Sequence, residues 1–236
     1  MSYGKLYLIP TPLGDGNPAD VLPAPVFDVL PTLHRFVVEE VRTARRFLSA
    51  AGLKGHIAEL EFHELNEHTT PAQVDSYLSL FAEGQSVGLL SEAGLPAVAD
   101  PGALLVGLCH RHGIEVVPLV GPSSLMLALM ASGLNGQSFA FVGYIPAKTE
   151  ERRSALKNLE RRSSAAHQTE ILIETPYRND SLLADMLQCL SGSVRLCIAA
   201  NLTCPDAFIR TRTVAQWKAA PVSIGKRPCV FLILAQ

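Results

Sequence analysis

Charged and aromatic residues are scarce in this sequence, and its cysteines are few and scattered. Charged residues make up 18% and aromatic residues 6% of the 236 residues, and tryptophan occurs once. The five cysteines are odd in number and form no C-x-x-C pair, which argues against a disulfide framework and a zinc site. The net charge of −2 argues against a protein that coats nucleic acid, although it leaves room for a local basic patch.

No targeting or membrane-spanning segment is recognisable. Residues 1–10 lack the basic stretch and apolar core of a signal peptide, and apolar runs such as residues 125–131 are too short to cross a bilayer. Apolar residues still make up 48% of the chain, enough for a substantial core. We therefore expect a cytoplasmic protein of two domains, residues 1–119 and residues 120–236, without membrane contact.

The first half alternates between strand-like and helix-like segments. Short apolar runs predict strands at residues 5–9, 36–39, 58–62, 86–90 and 114–119. Helical spacing followed by glycine predicts helices at residues 43–51, 71–82 and 103–112. This order of strands and helices predicts an α/β domain built on a mostly parallel sheet.

The second half is less regular. Apolar runs predict strands at residues 139–144, 171–173, 194–199 and 229–234. Helical spacing predicts helices at residues 123–132, 149–159 and 181–190. Because helices separate only some of these strands, we predict a second α/β domain with a mixed sheet.

Ligands of parallel α/β sheets bind beyond the carboxyl ends of the strands, which makes the loops after Ile9, Phe62, Leu90 and Leu119 candidate ligand loops. The loop at residues 91–102 is rich in glycine, proline and alanine, so a ligand could lie against its backbone. A plain connector is the alternative.

The segment G-P-S-S at residues 121–124 leads from a predicted strand into a predicted helix. Ser123 and Ser124 would cap this helix, contact a ligand through its first turn, or do both.

Several common catalytic signatures are missing. The sequence has no P-loop, no G-x-G-x-x-G and no G-x-S-x-G. His63 and His68 enclose a segment similar to the zinc-protease motif, but they are five residues apart instead of four and do not share one helical face. No metal site is predicted.

The predicted helix that begins at residue 149 is basic. Its cations, on the helix or just after it, are Arg152, Arg153, Lys157, Arg161 and Arg162. They form either a solvated face or a surface for an anionic acceptor such as RNA.

Six segments, in this order, resemble one known family. They are L-Y-L-I-P-T-P-L-G at 6–14, E-E-V-R at 39–42, H-E-L-N-E at 63–67, S-E-A-G-L-P-A-V-A-D-P-G at 91–102, G-P-S-S at 121–124 and G-Y-I-P-A-K at 143–148. E-T-P-Y-R at 174–178 also looks like the family's Glu-Ser-Pro-His-Arg. With these motifs, the chain resembles the ribosomal RNA small-subunit methyltransferase I family from residue 5 to about residue 234. That family belongs to the tetrapyrrole methylase superfamily, the class III S-adenosylmethionine (SAM)-dependent methyltransferases.

The resemblance implies two α/β domains with SAM in the cleft between them, a homodimer, and methylation of a ribose 2′-hydroxyl in small-subunit rRNA. The implied cofactor contacts are Pro10, Glu92, Ala93, Gly94, Ala97, Val98, Ser123, Ser124, Glu174, Thr175 and Thr203.

A hydroxyl acceptor would also need a general base and groups that position it. The candidates for these catalytic roles are Glu39, Arg42, Asn66, Glu67 and Arg178, with Glu174 as a further candidate base. Ion pairs and loop anchors within the fold are the alternative roles.

The sequence departs from the family pattern at several polar positions. Glu40 and Glu92 stand where the family usually has Asp, and Val41 and Leu95 stand where it usually has Thr. An Arg and a Glu of the family become Ala200 and Asn201, and a Lys-Gly-Glu becomes Lys226-Arg227-Pro228. Two other functions therefore stay open: a methyltransferase acting on a small molecule, and a SAM-binding protein without catalysis.

Overall fold

The computed structural model describes residues 3–236, which divide into two compact units, residues 3–123 and Ser124–Gln236. The first unit contains a five-stranded sheet in the order β3-β2-β4-β1-β5, in which every neighbouring pair is parallel. Its strands are β1 (Leu6–Ile9), β2 (Arg35–Val38), β3 (Glu61–Glu64), β4 (Val87–Leu90) and β5 (Val116–Pro118). Its helices are α1 (Ala24–Val29), α2 (Val41–Leu48), α3 (Pro71–Ser76) and α4 (Gly102–Arg111).

Apolar side chains cover both faces of this sheet because successive residues of a strand point to opposite sides. On β2, Val37 joins a cluster that includes α4, whereas Phe36 and Val38 join a cluster that includes α1 and α2. A parallel sheet buried on both faces agrees with the short, uniformly apolar strands of the sequence.

The second unit contains a mixed sheet in the order β6-β7-β10-β8-β9. Only β6 and β7 are parallel; the other three pairs are antiparallel. Its strands are β6 (Phe139–Gly143), β7 (Thr169–Ile173), β8 (Arg195–Ala200), β9 (Phe208–Thr213) and β10 (Cys229–Leu234). Its helices are α5 (Ser124–Ser132), α6 (Thr149–Ala166), α7 (Asn179–Cys189) and α8 (Val214–Ala219).

One apolar cluster holds the sheet of the second unit against α6, α7 and α8. Trp217 of α8 lies in this cluster and donates a hydrogen bond from Nε1 to the Leu196 carbonyl at 2.9 Å. The fold class predicted from the sequence is confirmed, with one parallel and one mixed α/β sheet.

Several predicted boundaries were wrong. The strand predicted at residues 58–62 lies at Glu61–Glu64, because Ile57–Glu59 forms a 3-10 turn. The helix predicted at residues 71–82 ends at Ser76 and continues as a 3-10 segment, Tyr77–Gly84. The helix predicted at residues 149–159 extends to Ala166. The prediction also omitted β9 and α8 entirely. Within residues 3–236, no helix is long and apolar enough to cross a membrane.

Candidate functional site

All five strands of the first sheet run in the same direction, so their carboxyl ends meet at one edge. The loops after Ile9 and Leu90 begin there, as predicted. The loop predicted after Phe62 begins instead at Leu65, since β3 ends at Glu64. The loop after β2 was not among the predicted ligand loops, although Glu39 is its first residue.

The loops after β1, β4 and β5 are in direct contact at this edge. Thr11 N donates to the Gly94 carbonyl at 2.9 Å, and Gly94 N donates back to the Thr11 carbonyl at 3.1 Å. A Cβ on Gly121 would lie 2.1 Å from the Cβ of Pro10, so only glycine fits against that proline. Three segments that are distant in sequence, and that all contain predicted cofactor residues, therefore form one structure.

Asp100 shapes the loop after β4. Its carboxylate accepts hydrogen bonds from Ala97 N at 2.9 Å and from Gly102 N at 2.6 Å, and burial nevertheless raises the pKa of Asp100. Ala97 and Ala99 have φ values of 65° and 62°, in the left-handed region that non-glycine residues rarely occupy. The loop is thus held in a strained conformation, which is typical of functional loops. The sequence prediction did not single out Asp100, although an Asp shortly before a helical glycine is a capping signal.

The remaining predicted residues of this loop surround the strained segment. Glu92, Ala93 and Val98 are exposed, with Val98 at 45%, whereas Gly94 is buried. The exposed side chains and the backbone next to them are therefore accessible to a ligand.

Carboxylates gather beside this loop. Glu39 Oε2 accepts a hydrogen bond from Glu92 N at 3.3 Å, which links the loops after β2 and β4. Burial raises the pKa of Glu39, and the nearby carboxylates of Glu92, Asp100 and Glu67 raise it further. Glu67 itself is open to solvent, with 87% of its side chain exposed. The edge is thus electrically negative and suited to a cationic ligand.

The structure gives Asn66 a local anchoring role. Its side-chain oxygen accepts from His68 N at 3.0 Å, and its own backbone N donates to Thr69 Oγ1 at 3.0 Å. Arg42 is exposed in the first turn of α2, whose N-cap is Glu40; the Glu40 carboxylate accepts from Arg42 N and Thr43 N. The Thr43 hydroxyl also donates to this carboxylate at 2.7 Å, and the three hydrogen bonds, led by this one, lower the pKa of Glu40.

Five buried side-chain polar atoms have no hydrogen-bond partner among the described residues, and two of them belong to the loops that contain predicted site residues. Thr11 Oγ1 lies at the junction of the loops after β1 and β4, and Glu174 Oε2 lies just beyond β7 in the second unit. A buried polar atom without a hydrogen bond is costly, so each marks a position where a ligand group would be stabilising.

Glu174, Thr175 and Arg178 contact one another directly. Glu174 Oε1 accepts from Thr175 N at 2.7 Å and from Arg178 Nε at 3.0 Å. The Glu174 side chain is fully buried, so this ion pair is held in place rather than solvated.

Glu174, Thr175 and Thr203 lie at one edge of the second sheet. At this edge β7 and β8 end while β9 and β10 begin. Ala200, the last residue of β8, pairs with Phe208 and Cys229, the first residues of β9 and β10. Thr203 is exposed and has a φ of 70°, which is an outlier for a β-branched residue. Ser123 and Ser124 lie at the start of α5, where Ser124 is the first helical residue.

The basic helix α6 uses most of its charge internally. Arg152 and Arg153 both pair with Asp185 of α7, and Arg162 pairs with the buried carboxylate of Glu170. Arg152 is 4% exposed, so it belongs neither to a solvated face nor to a surface for an anionic acceptor. Lys157, Arg161 and Arg162 are exposed, and of these Lys157 and Arg161 have no ion pair among the described residues.

His63 lies on β3, not on a helix, and its ring nitrogen lies 3.9 Å from a Glu61 oxygen. No group of three or more His, Cys, Asp or Glu residues between residues 3 and 236 could hold a metal ion.

Comparison with known proteins shows the family of the chain. Residues 5–217 match the model of the Tetrapyrrole (Corrin/Porphyrin) Methylases. The chain is 35% identical over 202 residues to a ribosomal RNA small subunit methyltransferase I of Escherichia coli O157:H7, covering 86% of this chain and 66% of that protein. It is 36% identical over 231 residues to the protein of the same name from Vibrio cholerae serotype O1, covering 97% of this chain and 76% of that protein. The chain thus spans about two thirds to three quarters of the length of these two relatives.

Solved structures show the same fold at lower identity. The methyltransferase CobJ superimposes with a TM-score of 0.65 at 17% identity, over 98% of this chain and 94% of that chain. A uroporphyrin-III C-methyl transferase from Thermus thermophilus, complexed with S-adenyl homocysteine, has a TM-score of 0.57 at 18% identity, over 98% and 97% of the two chains.

Proposed function

Because the chain belongs to the tetrapyrrole methylase family, we propose that it is a SAM-dependent methyltransferase whose acceptor is small-subunit ribosomal RNA. One observation carries the proposal. The loops after β1, β4 and β5 contain predicted cofactor residues and bind one another at the carboxyl edge of a parallel sheet, where such sheets bind ligands.

The chemistry of this edge fits SAM. The cofactor carries a sulfonium, an ammonium and a carboxylate group and is a cation overall, and the carboxylates of Glu92, Asp100 and Glu67 lie near enough to Glu39 to raise its pKa. The unpartnered hydroxyl of Thr11 and the backbone of the strained loop offer hydrogen bonds to polar groups of a ligand. No phosphate group needs to be held, which agrees with a site that has no phosphate loop.

We assign cofactor binding to two sets of residues, each within its own unit. The first set is Pro10, Glu92, Ala93, Gly94, Ala97, Val98 and Ser123; the second is Ser124, Glu174, Thr175 and Thr203. When bound, SAM would supply a methyl group on a sulfonium whose leaving group is neutral. The protein's own contribution is therefore mainly orientation of the reactants and exclusion of water.

Glu39 is the better of the two candidate bases in the first unit. Its raised pKa brings it closer to neutral pH, where a carboxylate takes a proton from a hydroxyl more effectively. Glu67 is exposed and lies in the loop after β3, where we assign it to contact with the acceptor. Arg42 is exposed and free to approach an anionic acceptor, whereas Asn66 and Arg178 hold neighbouring loop residues in place.

The names of the relatives support rRNA as acceptor, and with it a cytoplasmic location. A homodimer is part of the same proposal, on the basis of the family resemblance.

The test is transfer of labelled methyl groups. Small ribosomal subunits from a strain that lacks the protein are incubated with the full chain and methyl-labelled SAM, next to a small-molecule extract of the same cells. We expect label in the rRNA, and a loss of at least tenfold in rate for Glu39→Gln. Glu59→Gln, an exposed glutamate of the Ile57–Glu59 turn, is the matched control and should keep the wild-type rate.

Other outcomes separate the alternatives. Label in the extract but not in rRNA would contradict the rRNA acceptor and support a small-molecule methyltransferase. Binding of S-adenosylhomocysteine without label in either pool would support the non-catalytic alternative.

A further inference from the structure

Cations and aromatic rings meet at the edge of the second sheet where β9 and β10 begin. Lys226 Nζ lies 4.9 Å from the ring centre of Tyr177, and the guanidinium groups of Arg210 and Arg227 lie 5.4 Å and 5.8 Å from that of Phe208. We call these five residues the cation–aromatic edge. Tyr177 is 80% exposed, and Lys226 and Arg210 are also exposed.

The loop that carries Lys226 is built to hold a fixed shape. Asp180 accepts hydrogen bonds from Ser223 Oγ, Ile224 N and Gly225 N, while Asn179 Nδ2 donates to the Arg227 carbonyl at 2.7 Å. Arg227 closes the loop by donating from Nε to the Ile224 carbonyl at 2.8 Å. The cation and the ring of Tyr177 are thus presented by a rigid backbone, which reduces the entropy lost on binding.

Unlike Arg152, Arg153 and Arg162 of α6, the cations of this edge form no direct ion pair in the described part of the chain, although the charge of Arg227 helps to lower the pKa of Asp180. Among the residues that the structure describes, no ion pair engages Arg210, Lys226 or Arg227, whereas three arginines of α6 are paired. Two acids lie nearby and keep their negative charge, because Asp180 accepts hydrogen bonds from the loop backbone and Asp206 accepts from the neutral amide of Asn201. Glu174 is paired with Arg178, so the three cations Arg210, Lys226 and Arg227 outnumber the two remaining acids and the edge keeps a net positive charge.

We propose that the cation–aromatic edge binds single-stranded RNA, with an unstacked base on the ring of Tyr177 and phosphates at Lys226 and Arg210. An exposed aromatic ring next to unpaired cations is the combination that single-stranded nucleic acid requires, since bases stack on the ring and phosphates meet the charges. An acidic peptide would use the cations but would gain nothing from the exposed ring. This inference rests on the proposed function and specifies where the RNA acceptor is held.

The test measures binding of a fluorescein-labelled single-stranded RNA of about 12 nucleotides to the full chain, by anisotropy at several KCl concentrations. Tyr177→Ala should weaken binding roughly 5- to 100-fold and leave the salt dependence unchanged, whereas Tyr177→Phe should bind like the wild type. The plot of log K against log salt has a negative slope. Lys226→Ala should make this slope less steep by about 0.7, the value for one phosphate contact on a single strand. Lys157→Ala removes an exposed cation of α6 and should leave both quantities unchanged.

Three results would overturn the inference. They are wild-type affinity in Tyr177→Ala, a larger loss for Lys157→Ala than for Lys226→Ala, and competition by poly-glutamate that matches competition by unlabelled RNA. The proposed function is followed separately, through S-adenosylhomocysteine binding and methyl transfer to small subunits. If the protein transfers methyl groups and Tyr177→Ala keeps the wild-type RNA affinity, RNA binding at the cation–aromatic edge is refuted and the proposed function stands. Weakened RNA binding in Tyr177→Ala without any methyl transfer would refute the proposed activity and retain the edge.

Discussion

Substituting Gly121 by Ala tests the proposed cofactor site most directly. The new Cβ would lie 2.1 Å from Pro10 Cβ, while ordinary contact begins near 3.4 Å, so the loops after β1 and β5 must separate by about 1.3 Å. The φ of Gly121 is not in the left-handed region, so the effect comes from the steric contact alone. Overpacking of this size destabilises by about 1–3 kcal/mol, and misplacing a binding loop by about 1 Å costs up to about 100-fold in function.

The assay separates stability from binding. Urea unfolding gives the free energy of unfolding, and calorimetry gives the affinity for S-adenosylhomocysteine. Gly4→Ala is the first control, because its Cβ would lie 1.9 Å from the Gln85 carbonyl, ahead of β1 and far along the strands from the carboxyl edge. Gly55→Ala is the second, because nothing lies within 4 Å of its Cβ.

We expect Gly121→Ala to lose about tenfold or more in affinity, Gly4→Ala to lose stability but not affinity, and Gly55→Ala to lose neither. Wild-type affinity in a destabilised Gly121→Ala would show that the contact between these loops does not form the cofactor site.

Three further variants are predicted. Asp185→Asn should destabilise by about 3 kcal/mol in urea unfolding at pH 7, because it leaves buried Arg152 without its counter-charge. Burial opposes the ionised form of Asp185, but hydrogen bonds from Arg153 and Arg152 hold its pKa below the usual 3.8. The stability that the ionised carboxylate contributes is therefore present above pH 3.8 and is lost on acidification. An equally steep loss of stability in acid for Asp185→Asn would contradict this role of Asp185. Burial raises the pKa of Glu39 above 4.5, so the free energy of unfolding of the wild type should fall as the pH rises from 4.5 through the raised pKa. Glu39→Gln should not show this fall. The same pH profile of unfolding free energy in both proteins would refute the prediction. Thr203→Gly should raise stability by about 1 kcal/mol in thermal unfolding by removing strain at φ 70°, while S-adenosylhomocysteine affinity falls; unchanged affinity would remove Thr203 from the site.

The sequence located most strands well, including β5 and β6 at the ends of their sheets, but it misplaced β3 and missed β9. Cys229–Leu234 is apolar throughout and lies third in its sheet, so the apolar run marked its limits correctly. The strands Glu61–Glu64 and Phe208–Thr213 lie at the ends of their sheets. An edge strand can carry charged and polar side chains because much of its surface meets solvent, and such a strand lacks the apolar pattern that reveals the others.

Family resemblance supplied the individual site residues, but their contacts depend on tertiary structure. The hydrogen bond from Glu92 N to Glu39 joins positions 53 residues apart, and no local pattern predicts it. Asp100 was within a segment that the sequence marked, but its role became evident only through its bonds to Ala97 and Gly102. The pairing of Arg152 with Asp185 likewise needed the packing of α6 on α7, which turned an apparently solvated arginine into a buried one.

The distribution of charge gives the departures from the family a consistent meaning. In the first unit, carboxylates collect at the loops assigned to a cationic cofactor, and Glu92 retains the negative charge of the family's Asp. In the second unit, replacing the family's Lys-Gly-Glu by Lys226-Arg227-Pro228 removes a negative charge and adds a positive one. Arg227 then fixes the loop that presents Lys226 beside Tyr177. A change of this sign would weaken binding of a cationic acceptor and strengthen binding of an anionic one, such as the proposed RNA.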